Sequence, residues 1–163
     1  MKPNLSPKEI AKFSDVVLFG YLEEAKAMLE EKPELLNAQD PFGFTALHNV
    51  MTEEHFSIVR YLIEQGAKVN IQNDEGIAPL HLACYPEHAG LLVEAGADIN
   101  LTDQKGNTPL HILAAEGEER YEVIEFLLDK GADQTLKNKE GYTPLDIAKI
   151  REEKDLIDLF QGD

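Results

Sequence analysis

Three histidines recur in step along this chain: His48, His81 and His111. Imidazole is the side chain best suited to binding a metal or moving a proton near neutral pH. The spacing argues against either use here. The three stand 33 and 30 residues apart, and no His-Glu-x-x-His, no histidine pair at close helical spacing and no glycine-rich phosphate loop accompanies them. His55 and His88 read as loop or capping positions near helix starts. Cys84 is the single cysteine, so no internal disulfide and no cysteine-based zinc site can form. Its place in an apolar stretch reads as a buried, inert thiol. Carboxylates are abundant, but their positions describe a solvated outer face. No catalytic group, metal or cofactor is expected, and the chain does not read as an enzyme.

What sets the histidines in step is a repeat. Gly43-Phe44-Thr45-Ala46-Leu47-His48 aligns with Gly76-Ile77-Ala78-Pro79-Leu80-His81, with Gly106-Asn107-Thr108-Pro109-Leu110-His111 and with Gly141-Tyr142-Thr143-Pro144-Leu145-Asp146. Their glycines are 33, 30 and 35 residues apart. A second marker runs in phase with the first: Gly66-Ala67-Lys68-Val69-Asn70, Gly96-Ala97-Asp98-Ile99-Asn100 and Gly131-Ala132-Asp133-Gln134-Thr135.

Each unit can be read physically. Thr45, Thr108 and Thr143 offer a side-chain oxygen to the orphan amides of a helix start, and the following proline is pre-set for the first turn. Apolar residues then recur at helical spacing through two helices, the second exemplified by Val123, Ile124, Phe126, Leu127 and Leu128. Gly66, Gly96 and Gly131 end the second helix. The return through Asn73-Asp74-Glu75-Gly76 or Asp103-Gln104-Lys105-Gly106 is turn chemistry. The third unit is three residues short, so Cys84-Tyr85-Pro86-Glu87 joins its helices almost directly. The fourth is two residues long at Glu116-Gly117-Glu118-Glu119-Arg120. Together they predict a notch beside a protruding loop.

These residues resemble the ankyrin repeat family, whose hallmark is Thr-Pro-Leu-His-x-Ala. Thr108-Pro109-Leu110-His111 carries its first four residues and Ala78-Pro79-Leu80-His81-Leu82-Ala83 nearly all of it. The resemblance implies an all-α solenoid of about five stacked helix–loop–helix units with hairpin fingers and minimal strand. Residues 1–163 then form a single repeat domain, with units at about 6–39, 40–72, 73–102, 103–137 and 138–161. The outer two act as caps: Ser6-Pro7-Lys8-Glu9 has the capping-box form, and Leu156, Ile157 and Phe160 form a terminal apolar stripe. The resemblance gives His48, His81, His111, Thr45, Thr108 and Thr143 structural roles. The imidazoles bond local backbone and tie neighbouring units together.

It also implies that a partner lies along the finger tips and the inner face of the first helices. Carried over position by position, the tips are Pro41, Phe42 and Phe44; Asp74, Glu75 and Ile77; Gln104, Lys105 and Asn107; and Lys139, Glu140 and Tyr142. First-helix ends add Thr52, Glu53, Tyr85, Pro86 and Glu116. Phe42, Phe44, Ile77 and Tyr142 are the expected apolar anchors, since exposed aromatic groups dominate interface energetics.

Composition narrows the partner. There are 31 acidic against 15 basic side chains, a net charge of −16. Dense like charge disfavours nucleic acid and acidic membrane surfaces and favours a basic protein. The first residues lack the apolar stretch of a secretory signal, and no apolar run nears the roughly 20 residues of a membrane span. A cytoplasmic monomer is expected. The expected function is a non-catalytic adaptor or inhibitor, the inhibitor masking the active site of a basic enzyme. The alternatives are a small-ligand receptor at the notch and a structural subunit of a larger assembly.

Overall fold

The computed structural model describes residues 5–162. Met1–Asn4, which open the stretch read above for the absence of a secretory signal, and Asp163 lie outside the described residues. The first pair of helices is α1 (Pro7–Leu18) and α2 (Leu22–Glu31), followed by a 3-10 turn at Pro33–Asn37. Then come α3 (Ala46–Asn49) and α4 (Phe56–Glu64), a 3-10 turn (Pro79–Leu82) and α5 (Pro86–Glu94). After these follow α6 (Pro109–Glu116), a turn at Glu118–Arg120 and α7 (Tyr121–Asp129). The last pair is α8 (Pro144–Arg151) and α9 (Lys154–Gln161). No strand occurs among the described residues. The chain is an all-α repeat solenoid.

The elements pack in two rows. In the inner row α1 touches α3, α3 touches the 79–82 turn, that turn touches α6, and α6 touches α8. In the outer row α4 meets α5, α5 meets α7 and α7 meets α9. Between them runs one apolar core from Phe13 to Phe160. Leu47, Leu80 and Leu110, at the same place in successive units, are each no more than 1% exposed. Burying one such side chain contributes roughly 1.5–3 kcal/mol, and here the burial is supplied by the neighbouring unit as much as by its own.

One element departs from expectation. The first helix of the third unit is a four-residue 3-10 turn, Pro79–Leu82, not an α-helix. The way out of it is fixed seven residues on from its start. Pro86 opens α5 and holds Tyr85 extended (φ −126°, ψ 137°), because the residue before proline is excluded from the helical region. With three residues fewer, the chain passes almost directly into α5; four residues is also the length of α3 in the full-length second unit, so it is the 3-10 form and not the length that sets this element apart. The amide of Cys84 instead donates to the carbonyl of Met51 in the preceding unit, at 3.2 Å.

Both ends are finished by local chemistry. Ser6 Oγ accepts from the amide of Glu9 at 3.3 Å, and the Ser6 amide donates to Glu9 Oε2 at 2.7 Å. The same carboxylate pairs with Lys32 at the end of α2. At the far end Leu156 and Phe160 are buried and Ile157 half-buried.

Candidate protein-binding surface

The surface begins with the joints that aim the fingers. At His48, His81 and His111 the imidazole bridges two units. Nδ1 of His111 accepts from the Thr108 amide at 3.1 Å, and its Nε2 meets the Tyr142 carbonyl of the next finger at 3.0 Å. His81 likewise joins the Ala78 amide (3.1 Å) to the Asn107 carbonyl (3.2 Å). His48 joins the Thr45 amide (3.0 Å) to the Ile77 carbonyl (3.1 Å). An amide can only donate and a carbonyl only accept, so each ring is neutral with its proton on Nε2. Burial, the largest influence, pushes all three below the usual imidazole range. In the last unit Asp146 takes the histidine's place and accepts from the Thr143 amide and hydroxyl, both at 2.9 Å.

The fingers are built by side-chain oxygens that accept two amides each. Asp40 Oδ1 accepts from Phe42 and Phe44, Asn73 Oδ1 from Glu75 and Ile77, Asp103 Oδ1 from Lys105 and Asn107, and Asn138 Oδ1 from Glu140 and Tyr142. Neighbouring fingers then bond directly. The Asp74 amide donates to Phe42, Gln104 to Glu75 and Lys139 to Lys105, at 2.9–3.0 Å. Gly76 (φ +81°) permits this approach: a Cβ there would stand 2.7 Å from the Gln104 nitrogen. A second ladder runs behind the first, with Asn37, Asn70 and Asn100 accepting the amides of Lys68, Asp98 and Asp133.

The tip residues named from sequence separate into two groups. Phe42 (69% exposed) and Tyr142 (41%) stand free at the surface, with Asp74, Glu75, Gln104, Lys105 and Glu140 exposed between them. Ile77 does not: it is buried, its amide and carbonyl held by Asn73 and His48, so it is no surface anchor. Phe44 is half-buried and packs edge-on against His48, ring centres 5.6 Å apart. Asn107 and Tyr85 are also half-buried. The position just after a finger glycine faces the neighbouring joint in the middle of the stack and becomes free only at Tyr142, in the last finger.

Two further readings are corrected. His88 is not a loop or cap but a fully buried residue of α5, wedged between Phe56 (4.8 Å) and Tyr85 (5.5 Å). Its Nδ1 lies 3.3 Å from the Met51 carbonyl, and its Nε2 has no partner among the described residues. Cys84 is half-buried, not buried. Burial raises its thiol above the usual range, which keeps it protonated and a poor nucleophile.

The irregular third and fourth units do shape the surface. A cleft of about 420 Å³ opens between Cys84, Tyr85 and Pro86 on one side and residues 118–123 on the other. Charge is uneven around the stack. The tips mix Asp74, Glu75 and Glu140 with Lys105 and Lys139, whereas the edge at the helix–helix loops carries Glu53, Glu54, Glu116, Glu118 and Glu119 against Arg120. Sequence reasoning also missed Phe19, Tyr21 and Ile150, exposed by 60, 58 and 64%. Phe19 and Tyr21 flank Gly20 in the turn between α1 and α2, where an aromatic residue beside a turn glycine is the available signal.

Among the described residues no group of three or more His, Cys, Asp or Glu side chains could hold a metal ion. No described helix is long and apolar enough to cross a membrane.

Stacked helix pairs with hydrogen-bonded fingers and an exposed row of tips define a repeat solenoid built to present a surface. Family models describe the same class: ankyrin repeats (3 copies) match residues 13–103 and ankyrin repeats (many copies) match residues 92–148. The chain belongs to the ankyrin repeat family, whose repeats generally mediate protein–protein interaction and are typically non-catalytic. It is similar to alpha-latrocrustotoxin-Lt1a of Latrodectus tredecimguttatus, 34% identical over 66 residues, which is 40% of this chain and 5% of the toxin. It is 38% identical over 80 residues to ankyrin repeat and SOCS box protein 16 of Mus musculus, covering 49% of this chain and 17% of that protein. Over 83 residues it is 30% identical to protein phosphatase 1 regulatory subunit 27 of Mus musculus, covering 49% of this chain and 54% of the relative. The chain thus spans from one twentieth to about half the length of these relatives.

Proposed function

We propose that this protein is a non-catalytic binding module, an adaptor or inhibitor that holds another protein against its finger tips and the inner face of its first helices. The observation that carries the reading is the finger row itself. Phe42 and Tyr142 stand exposed near its two ends, with Asp74, Glu75, Gln104, Lys105 and Glu140 between them. An aromatic side chain held on a rigid, hydrogen-bonded turn offers contact area at little entropic cost. Asn107 belongs to this row, and Tyr85 and Glu116 stand at the other, helix–loop end of the inner face. The net charge of −16 favours a basic partner, which long-range attraction would bring in faster. Similarity to a phosphatase regulatory subunit over half the chain supports a regulatory role. The reading includes a cytoplasmic monomer of one domain, with unit boundaries near residues 39, 72, 102 and 137.

The test uses the purified protein as bait in its native lysate at low and moderate salt, beside a Phe42→Ala, Tyr142→Ala variant. Both residues are exposed, so the variant is expected to fold with stability within about 0.5 kcal/mol per substitution. The expected result is a basic protein recovered in equal stoichiometry by the wild type and lost by the variant. Recovery of the same partner by both would place the interface elsewhere. Recovery by neither would favour a small-ligand or assembly role.

A further inference from the structure

The finger tips carry nearly balanced charge, so they do not account for a net charge of −16 as a device for capturing a cation. The helix–loop edge is the more one-sided of the two, with Glu53, Glu54, Glu116, Glu118 and Glu119 against Arg120, and it holds the cleft made by the short third unit and the long fourth. We propose that this cleft docks an arginine-bearing segment of a protein partner. The inference rests on the protein-binding reading above but places the cationic contact away from the fingers.

The cleft has one apolar wall and one acidic wall. Tyr85 and Pro86 form the first. Tyr85 is held from behind by Phe56, edge-on with ring centres 5.7 Å apart, and by His88 at 5.5 Å, so its ring is pre-positioned. Glu118, Glu119 and Glu122 form the second. The turn that carries Glu118 and Glu119 is braced as well, and Glu122 follows in the first turn of α7. Glu118 accepts from the Asp155 amide at 3.4 Å, and a Cβ at Gly117 (φ +99°) would meet the Glu153 carboxylate at 2.6 Å.

Charge selects the occupant. Arg120 lines the cleft as well, with its Nε bound to Glu116 at 2.5 Å. Glu119 and Glu122 have no cationic partner among the described residues. A planar guanidinium can stack on an aromatic face while its fork donates to carboxylates opposite, which an ammonium cannot do. That combination matches one wall of Tyr85 and one of glutamates.

The experiment is an NMR titration of the ¹⁵N-labelled protein with a Gly-Arg alternating dodecapeptide, beside Gly-Lys and Gly-Glu peptides of equal length. Amide shifts at Tyr85 and residues 118–122 are expected to exceed those at Asp74, Lys105 and Glu140. Glu118→Gln, Glu119→Gln, Glu122→Gln together are expected to weaken binding at least tenfold, with the melting curve preserved. The lysine peptide is expected to bind at least threefold more weakly. Shifts centred on the fingers or spread over all acidic surface would overturn the proposal. So would a triple variant binding within twofold of wild type, or a lysine peptide binding equally well. The Phe42→Ala, Tyr142→Ala variant is expected to bind the peptide as wild type does, so failure of the cleft and failure of the finger surface appear as separate results.

Discussion

His111 joins its own helix start to a finger 31 residues away: Nδ1 accepts from Thr108 while Nε2 reaches the carbonyl of Tyr142 at 3.0 Å. One neutral imidazole thereby sets the distance between two units and the pose of the exposed Tyr142 side chain. His111→Ala is expected to leave a buried amide and a partly buried carbonyl without partners, at a cost of about 1–3 kcal/mol. Urea unfolding measures the cost, and an unchanged midpoint would remove the joint from the account of stability.

The same geometry dictates the response to pH. Burial holds His48, His81, His88 and His111 below the usual value of about 6.5, so the native state stays neutral where the unfolded chain takes up protons. Their contribution is therefore complete above about pH 6.5 and is lost as pH falls through the depressed native values. The urea midpoint is expected to drop between pH 7.5 and pH 5.5. Glu9 acts in a lower window. The Lys32 contact, then the Ser6 cap, holds it at about 2, so its contribution is lost only as pH falls from the ordinary carboxylate range towards that value. A flat or rising midpoint from pH 7.5 to 5.5 would contradict the histidine assignment.

Two glycines with similar backbone angles separate conformational strain from close packing. Gly66 (φ +91°) has nothing within 4 Å of a would-be Cβ, whereas Gly76 (φ +81°) has the Gln104 nitrogen at 2.7 Å. Gly66→Ala is expected to cost the left-handed penalty alone, about 1–2 kcal/mol. Gly76→Ala should cost more, because the two fingers must also move apart. Equal costs for both, measured by thermal unfolding, would show that finger contact adds nothing.

Leu80 sits in the 3-10 turn of the third unit and is 1% exposed. Leu80→Ala is expected to cost about 2–5 kcal/mol, as buried leucines do. Because each unit buries its face on its neighbours, the loss should also lower the urea m-value if the middle of the stack opens before the ends. An unchanged m-value with a lowered midpoint would mean that the stack unfolds as one body.

Sequence alone settled the repeat and the chemistry within each unit. Thr143 and Pro144 can start a helix, and Asp103 can close a turn, through groups a few residues away, and local groups of this kind are visible in the order of residues. The equivalence of Asp146 with His48, His81 and His111 is equally visible, since capping needs only an acceptor three residues on. Tertiary structure decided which apolar residues remain outside. Phe42, Phe44, Ile77 and Tyr142 look alike as finger residues, yet exposure depends on what the next unit places beside them. Ile77 is covered and Tyr142 is not. His88 and the cleft at Tyr85 were set in the same way. The short third unit brought its loop against its neighbours, and His88 was buried by contacts with Phe56 and Met51, more than 30 positions away, which no local pattern records.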